Sequence, residues 1–344
     1  MQLVETLDAS AYTDVGRYQH ERLAVFRSAW VLIGYEHQFR KSGDFVTEVI
    51  AEWPVFVQRG NDGTLRAFHN VCPHRAGPIV PDGQGCQANL VCRYHGWAFS
   101  QDGDLLRARD FGAEDVDAAL PDNIALTQVR VQTWRGFVFV CMDPSTADLV
   151  DWLGAFPREC DEYPIESYEF HTRTIRPMTC NWKTYADNFL EGYHVPVVHP
   201  LLSRDVDALR YRVVTKGDRR WNVHVAPQRV DDATFTGVFI YFWPNFSLNI
   251  FHGGYAVERW LPRGVHGTDL IFEYFFAPDH DDIEGVVKVS EEVAEEDAAM
   301  AESVQRNLDA GLYRSGLLSP RHENGLVDFK ELLGEVLAGR PLRP

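Results

Sequence analysis

Two short loops constrain this chain more than any other part of it. Residues 70–80 read NVCPHRAGPIV and residues 90–99 read LVCRYHGWAF, so Cys72 and His74 in the first loop are answered by Cys92 and His95 in the second. Each loop pairs one thiol with one imidazole and then breaks at glycine, which frees the backbone to aim two donors at a common centre. Four such donors suit a structural Cys2His2 zinc or an iron–sulfur cluster. The spacing speaks against zinc, whose modules usually put both thiolates in one turn and both imidazoles on a helix.

A chain of 344 residues has no need of a metal merely to fold, and 45 % hydrophobic with 24 % charged residues is ordinary globular usage. Its net charge of -17 speaks against nucleic acid and anionic membrane surfaces as partners, since both require clustered Lys and Arg. The N-terminus lacks a basic region followed by an apolar run, and no apolar stretch approaches the ~20 residues of a spanning helix. A soluble cytoplasmic protein is expected. Six cysteines are too few for a disulfide scaffold, which leaves metal chemistry for Cys72 and Cys92 and a packed thiol for Cys86.

Along the chain, apolar spacing from Ala11 to Trp30 predicts one or two amphipathic helices. Short alternating runs follow, with Asn61-Asp62-Gly63 and Asp102-Gly103 as hairpin turns and WRGFVFVCMD as a buried strand closed by Asp143-Pro144. Beyond Pro144, WKTYADNFLEGYHV has helical spacing that Pro196 and Pro200 do not allow past His199. GVFIYFWPNFSLNIF, YAVERWLP and DLIFEYFFAP read as strands of a larger sheet, and EVAEEDAAMAESVQRNLDAG as a long helix ending at Gly311. The expected class is α+β: a helical lead-in (1–30), a small antiparallel β domain (31–143) and a larger domain (144–344) with an antiparallel sheet flanked by helices. His194 and His199, five apart, are expected to face one side at the end of a helix.

The paired loops resemble the Rieske family, in which two Cys bind one iron of a [2Fe-2S] cluster and two His the other. The resemblance implies Cys72 and Cys92 on one iron, and His74 and His95 on the second. The absence of an extra cysteine in either loop, with Arg75 after His74, resembles the oxygenase branch. NWKTYADNFLEGYHVPVVHP in turn resembles the catalytic signature of Rieske non-haem iron oxygenases, with Asn181-Trp182-Lys183, Asn188-Phe189, an acid, then Tyr193-His194 and His199. By that resemblance His194, His199 and Asp297 hold mononuclear Fe(II), with Gln305 eight residues after Asp297. Glu295 and Glu296 are neighbours easily confused with Asp297, and Glu291, Glu292 and Glu302 read as a solvated helix face. Glu191 stands where relatives have an acid bridging an iron-ligand histidine to His95 of another subunit, and Asp187 is the competing candidate. Glu at this place resembles the subgroup acting on quaternary ammonium compounds.

The implied protein is the oxygenase (α) subunit of a Rieske oxygenase. It would use O2 and electrons from NAD(P)H to mono- or dioxygenate an aromatic or a quaternary ammonium substrate. Those electrons would arrive through a separate ferredoxin or flavin reductase, because no G-x-G-x-x-G nucleotide fingerprint follows a strand. A homotrimer (α3) is implied. The competing readings are a Rieske-type electron carrier without oxygenase activity and a zinc-stabilised binding protein.

Overall fold

The computed structural model describes residues 3–112, 123–216, 219–229 and 237–340. The chain divides into two compact units, Arg27–Trp152 and a larger one made from both ends, Met1–Phe26 with Leu153–Pro344.

The smaller unit is built on a seven-stranded antiparallel sheet whose central strands are Trp53–Arg59 and Leu65–His69. These two form the expected hairpin across Asn61-Asp62-Gly63, where Gly63 takes φ +79° and Asp62 accepts from Thr64 N at 3.0 Å. The expected turn at Asp102-Gly103 joins Ala98–Phe99 to Leu105–Arg107, and a further hairpin was not expected: Gln128–Trp134 pairs with Phe137–Cys141 across Arg135-Gly136, both at positive φ (47° and 84°). Only its second, fully buried strand was read from the sequence, although Gln128-Val129-Arg130-Val131-Gln132 in the first alternates polar and apolar residues as a strand does. Residues 144–152, expected in the larger domain, cluster with this unit instead. The reason is hydrogen bonding: Trp30 Nε1 donates to Ala147 O at 2.9 Å, Arg130 to Asp148 at 2.6 Å, and Leu149 N to Gln132 at 2.6 Å.

The larger unit carries a second seven-stranded antiparallel sheet, in the order Glu169–Met178, Thr268–Phe276, Gly254–Pro262, Phe246–Phe251, Gly237–Phe242, Trp221–Val225 and Arg212–Lys216. The long helix Ile283–Asp309 buries Ser290, Ala294, Asp297, Ala301, Gln305 and Leu308, a spacing of three and four that keeps one stripe inward. Gly311 follows at φ +71°, the left-handed residue that ends such a helix.

The lead-in is helical from Ser10 only to Phe26, in two short α segments and a π turn, and belongs to this larger unit. Its anchor is Glu21, 1 % exposed, which accepts from Lys183 Nζ at 2.6 Å and Trp182 Nε1 at 3.0 Å. Asn181 caps the helix Trp182–Phe189 and also accepts from Lys183 Nζ at 2.7 Å. The Asn-Trp-Lys triplet is therefore a structural joint. Lys183→Ala strands the Glu21 carboxylate in the interior, and is expected to lower unfolding free energy by about 3–5 kcal/mol, measured as a shifted urea midpoint.

Candidate metal centres

The two Cys/His loops are copies of one turn. Cys72 N donates to Gly77 O and Ala76 N to Cys72 O, while Cys92 N donates to Trp97 O and Gly96 N to Cys92 O, all at 2.8 or 2.9 Å. The fourth residue after each cysteine is left-handed, Gly96 at φ 74° and Ala76 at φ 54°. A Cβ on Gly77 would lie 2.9 Å from Cys92 Sγ, so this glycine makes room for the facing thiol. Both cysteines are 2 % exposed and belong to the unit's hydrophobic core. The rings of His74 and His95 meet at 4.7 Å, and His74 stacks on Trp97 at 4.5 Å. His74 Nδ1 is buried with no hydrogen-bond partner among the described residues, the condition of a nitrogen that awaits a metal. Arg75 lies over the Tyr94 ring. Cys86, expected as a packed thiol, is exposed on the edge strand Gln84–Cys86.

In the larger unit the helix Trp182–Phe189 stops before the histidines, contrary to expectation. Gly192 lies under the ring of Tyr211, and the chain restarts as a single turn, Val195–Val198, with Pro196 at its beginning. His194 and His199 flank that turn, with their Nε2 atoms 3.1 Å apart. Asp297 Oδ1 lies 2.9 Å from His199 Nε2 and 3.5 Å from His194 Nε2, and accepts from Asn188 Nδ2 at 2.6 Å. One ligand atom from each of the three lies within 4.8 Å of the others, a two-histidine, one-carboxylate set suited to ferrous iron.

Each imidazole is held from behind by a carboxylate. Glu191 Oε1 is 2.5 Å from His194 Nδ1, and Glu296 Oε2 is 2.7 Å from His199 Nδ1. Such partners fix the tautomer and leave Nε2 free to bind a metal. Glu296 is thus more than a neighbour of Asp297, whereas Glu295 is exposed. Glu291, expected in solvent, accepts from Thr174 at 2.6 Å and Tyr274 at 2.9 Å. Glu292 reaches Lys288 at 3.9 Å, and Glu302 accepts from Thr179 N at 2.7 Å. Gln305 accepts from Asn181 N at 3.0 Å, tying the long helix to the capped one. Asp187 bonds neither histidine. It accepts from Tyr12 OH at 2.5 Å, and burial pushes its carboxyl up to about 7.

Beside the triad lies a cavity of about 100 Å³. Its floor is one face of the sheet, because His224 opposes Phe239, Phe239 opposes Asn249, and Glu258 opposes both Ser247 and Phe272. Of the aromatics in GVFIYFWPNFSLNIF, Phe239 reaches this cavity, while Phe242, Trp243 and Phe246 are buried core residues. Glu258 is 3 % exposed and accepts from Tyr185 OH at 2.5 Å, Asn249 Nδ2 at 2.9 Å and Ser247 Oγ at 3.3 Å. Burial raises its carboxyl to about 7. Sequence reasoning singled out neither Glu258 nor His224, since each sits in an ordinary strand pattern.

Residues 165–339 match the ring hydroxylating alpha subunit (catalytic domain) family, and residues 29–125 match the Rieske [2Fe-2S] domain. The chain belongs to the Rieske non-haem iron oxygenases. Among relatives of this oxygenase, the carnitine monooxygenase oxygenase subunit of Escherichia coli (strain K12) is 31 % identical over 96 % of this chain and 93 % of that one. The chloroplastic choline monooxygenase of Atriplex hortensis is 29 % identical over 96 % of this chain and 78 % of its own. A solved quaternary ammonium Rieske monooxygenase, described for carnitine oxidation and inter-subunit electron transfer, superposes with a TM-score of 0.87 at 25 % identity, covering 97 % of this chain and 96 % of that chain. As a terminal oxygenase, the chain is an oxidoreductase that works with a Rieske cluster, mononuclear iron and O2. It requires a reductase partner and a small-molecule substrate. No helix among the described residues is long and apolar enough to cross a membrane.

Proposed function

We propose that this oxygenase hydroxylates a small quaternary ammonium compound in the cavity beside His194, His199 and Asp297. The observation that carries the reading is Glu258. A buried carboxylate normally has a cationic partner, yet Glu258 takes part in no ion pair among the described residues and is held by three neutral donors. Phe189, Tyr211, Phe239 and Phe272 line the same cavity and offer aromatic faces to a cation. A substrate ammonium supplies the missing charge and draws Glu258 to full ionisation. The carnitine and choline relatives support the same class of substrate.

In this reading Cys72, His74, Cys92 and His95 hold the cluster, and His194, His199 and Asp297 hold the iron. Bound there, the two groups supply electron relay and oxygen activation. The chain's own part is to place the substrate carbon, exclude water and keep both iron-ligand imidazoles in one tautomer through Glu191 and Glu296. Glu191 is the bridge to His95 of a neighbouring copy in a homotrimer, a closed ring of heterologous contacts. A ferredoxin or flavin reductase feeds it from NAD(P)H. The reading also includes a reducing compartment such as the cytoplasm, supported by six cysteines that all stand unpaired.

Oxygen uptake with choline and with 3,3-dimethylbutanol, its uncharged isostere, tests the substrate class. Wild type is expected to turn over choline alone, and Glu258→Gln to lower kcat/KM for choline on the order of 100-fold. Equal turnover of the two compounds would contradict the proposal.

A further inference from the structure

His224 lines the same cavity as Glu258, three strands away on the sheet face. The residue is 1 % exposed; its Nδ1 lies 2.8 Å from Tyr211 OH, and its Nε2 is buried without a hydrogen-bond partner among the described residues. Buried side-chain nitrogens are nearly always paired, and the few that are not call for an explanation.

The tautomer follows from counting protons. Burial drives the imidazole pKa down to about 3, so the ring is neutral and carries one N–H. Among the described residues, the Tyr211 hydroxyl makes one hydrogen bond, with Nδ1. If the hydroxyl donates, the ring proton sits on Nε2 and only that N–H is unsatisfied. If Nδ1 donates instead, both the hydroxyl proton and the Nε2 lone pair are stranded, so the first arrangement is the cheaper. A neutral N–H donor also places no positive charge against an ammonium group.

We propose that His224 Nε2–H donates to an oxygen of the substrate, so that the cavity selects an ammonium compound bearing a hydroxyl or carboxylate over its deoxygenated analogue. Tyr211 is the positioning residue that holds the proton on Nε2. The packing of its ring on Gly192 fixes its place, since a Cβ at residue 192 would lie 2.3 Å from that ring. The ammonium end of this substrate rests on the function proposed above; the oxygen end rests on His224 alone.

Calorimetric titration of the anaerobic, iron-loaded enzyme separates the two. The probes are choline against ethyltrimethylammonium, and benzyl alcohol against toluene. Wild type is expected to bind choline about tenfold more tightly than ethyltrimethylammonium. His224→Phe is expected to remove that preference while leaving ethyltrimethylammonium within about twofold, and His224→Gln, which restores a donor near the Nε2 position, to recover it. Tyr211→Phe, which deletes a single hydroxyl, is expected to weaken the preference without changing the affinity for ethyltrimethylammonium. Equal binding of choline and ethyltrimethylammonium by wild type overturns the proposal, as does an equal loss of both in His224→Phe. If neither ammonium binds but benzyl alcohol is preferred over toluene and His224→Phe abolishes that preference, the ammonium reading falls and the role of His224 stands. If the aromatic pair binds without discrimination, both fall.

Discussion

Asp297→Ala is expected to lower bound iron from about three atoms per chain to about two, and turnover by at least on the order of 10³-fold. Two imidazoles with Nε2 atoms 3.1 Å apart remain, without the carboxylate oxygen that, among the described residues, meets both. The visible absorption of the cluster is expected to persist, because its donors lie in the other compact unit. Neighbouring acids provide the scale for this result. Glu295 is exposed, and its replacement by Ala is expected to leave iron and rate unchanged. Glu296 holds His199 Nδ1 at 2.7 Å, and Glu296→Ala is expected to weaken iron binding about 10- to 100-fold without abolishing it. Iron analysis with oxygen uptake decides the matter, and an Asp297→Ala protein with its full iron complement would refute the assignment.

Glu191→Ala is expected to weaken iron binding about 10- to 100-fold, as Glu296→Ala does, and to lose at least about 100-fold in product formation even when cluster and iron are fully loaded. The carboxylate is gripped at both oxygens: Oε1 by His194 Nδ1, and Oε2 by the backbone N–H groups of Tyr193 and His194. Removing it frees the His194 ring and deletes the proposed path from His95 of a neighbouring copy. In a single turnover the chemically reduced cluster is expected to stay reduced in the presence of substrate and O2, where wild type reoxidises. Asp187→Asn serves as the counterpart. Asp187 bonds Tyr12 of the lead-in and neither histidine, so this change is expected to act on stability before electron flow. A cluster that reoxidises normally in Glu191→Ala but not in Asp187→Asn would exchange the two roles.

Some turns were legible in the sequence and others were not, for a reason visible in their residues. Asn61-Asp62-Gly63 announces a hairpin because Gly takes positive φ without strain. Ala51-Glu52 makes an equally tight turn between Asp44–Ile50 and Trp53–Arg59 with φ of 45° and 69°. Neither residue type advertises that conformation; pairing of the long flanking strands imposes it. The break between Phe189 and His194 is of the same kind. Helical spacing carries on through Tyr193, and it is the Tyr211 ring resting on Gly192 that helps set the backbone there.

What the sequence by itself determined was the family and its chemistry. The donor residues Cys72, His74, Cys92, His95, His194 and His199 lie in short local segments, and local spacing was enough to draw attention to them. Asp297 was reachable because it shares an inward helical stripe with Gln305. The tertiary structure alone decided what stands behind and beside the iron donors. Glu296 meets His199 across 97 positions of sequence, and Glu258 and His224 share a cavity only because four strands align in register. A strand residue shows in sequence that it faces inward, but its neighbours on that face depend on the pairing of every strand between them. The charge and the nitrogen proposed to shape substrate choice therefore come together only once the sheet has formed.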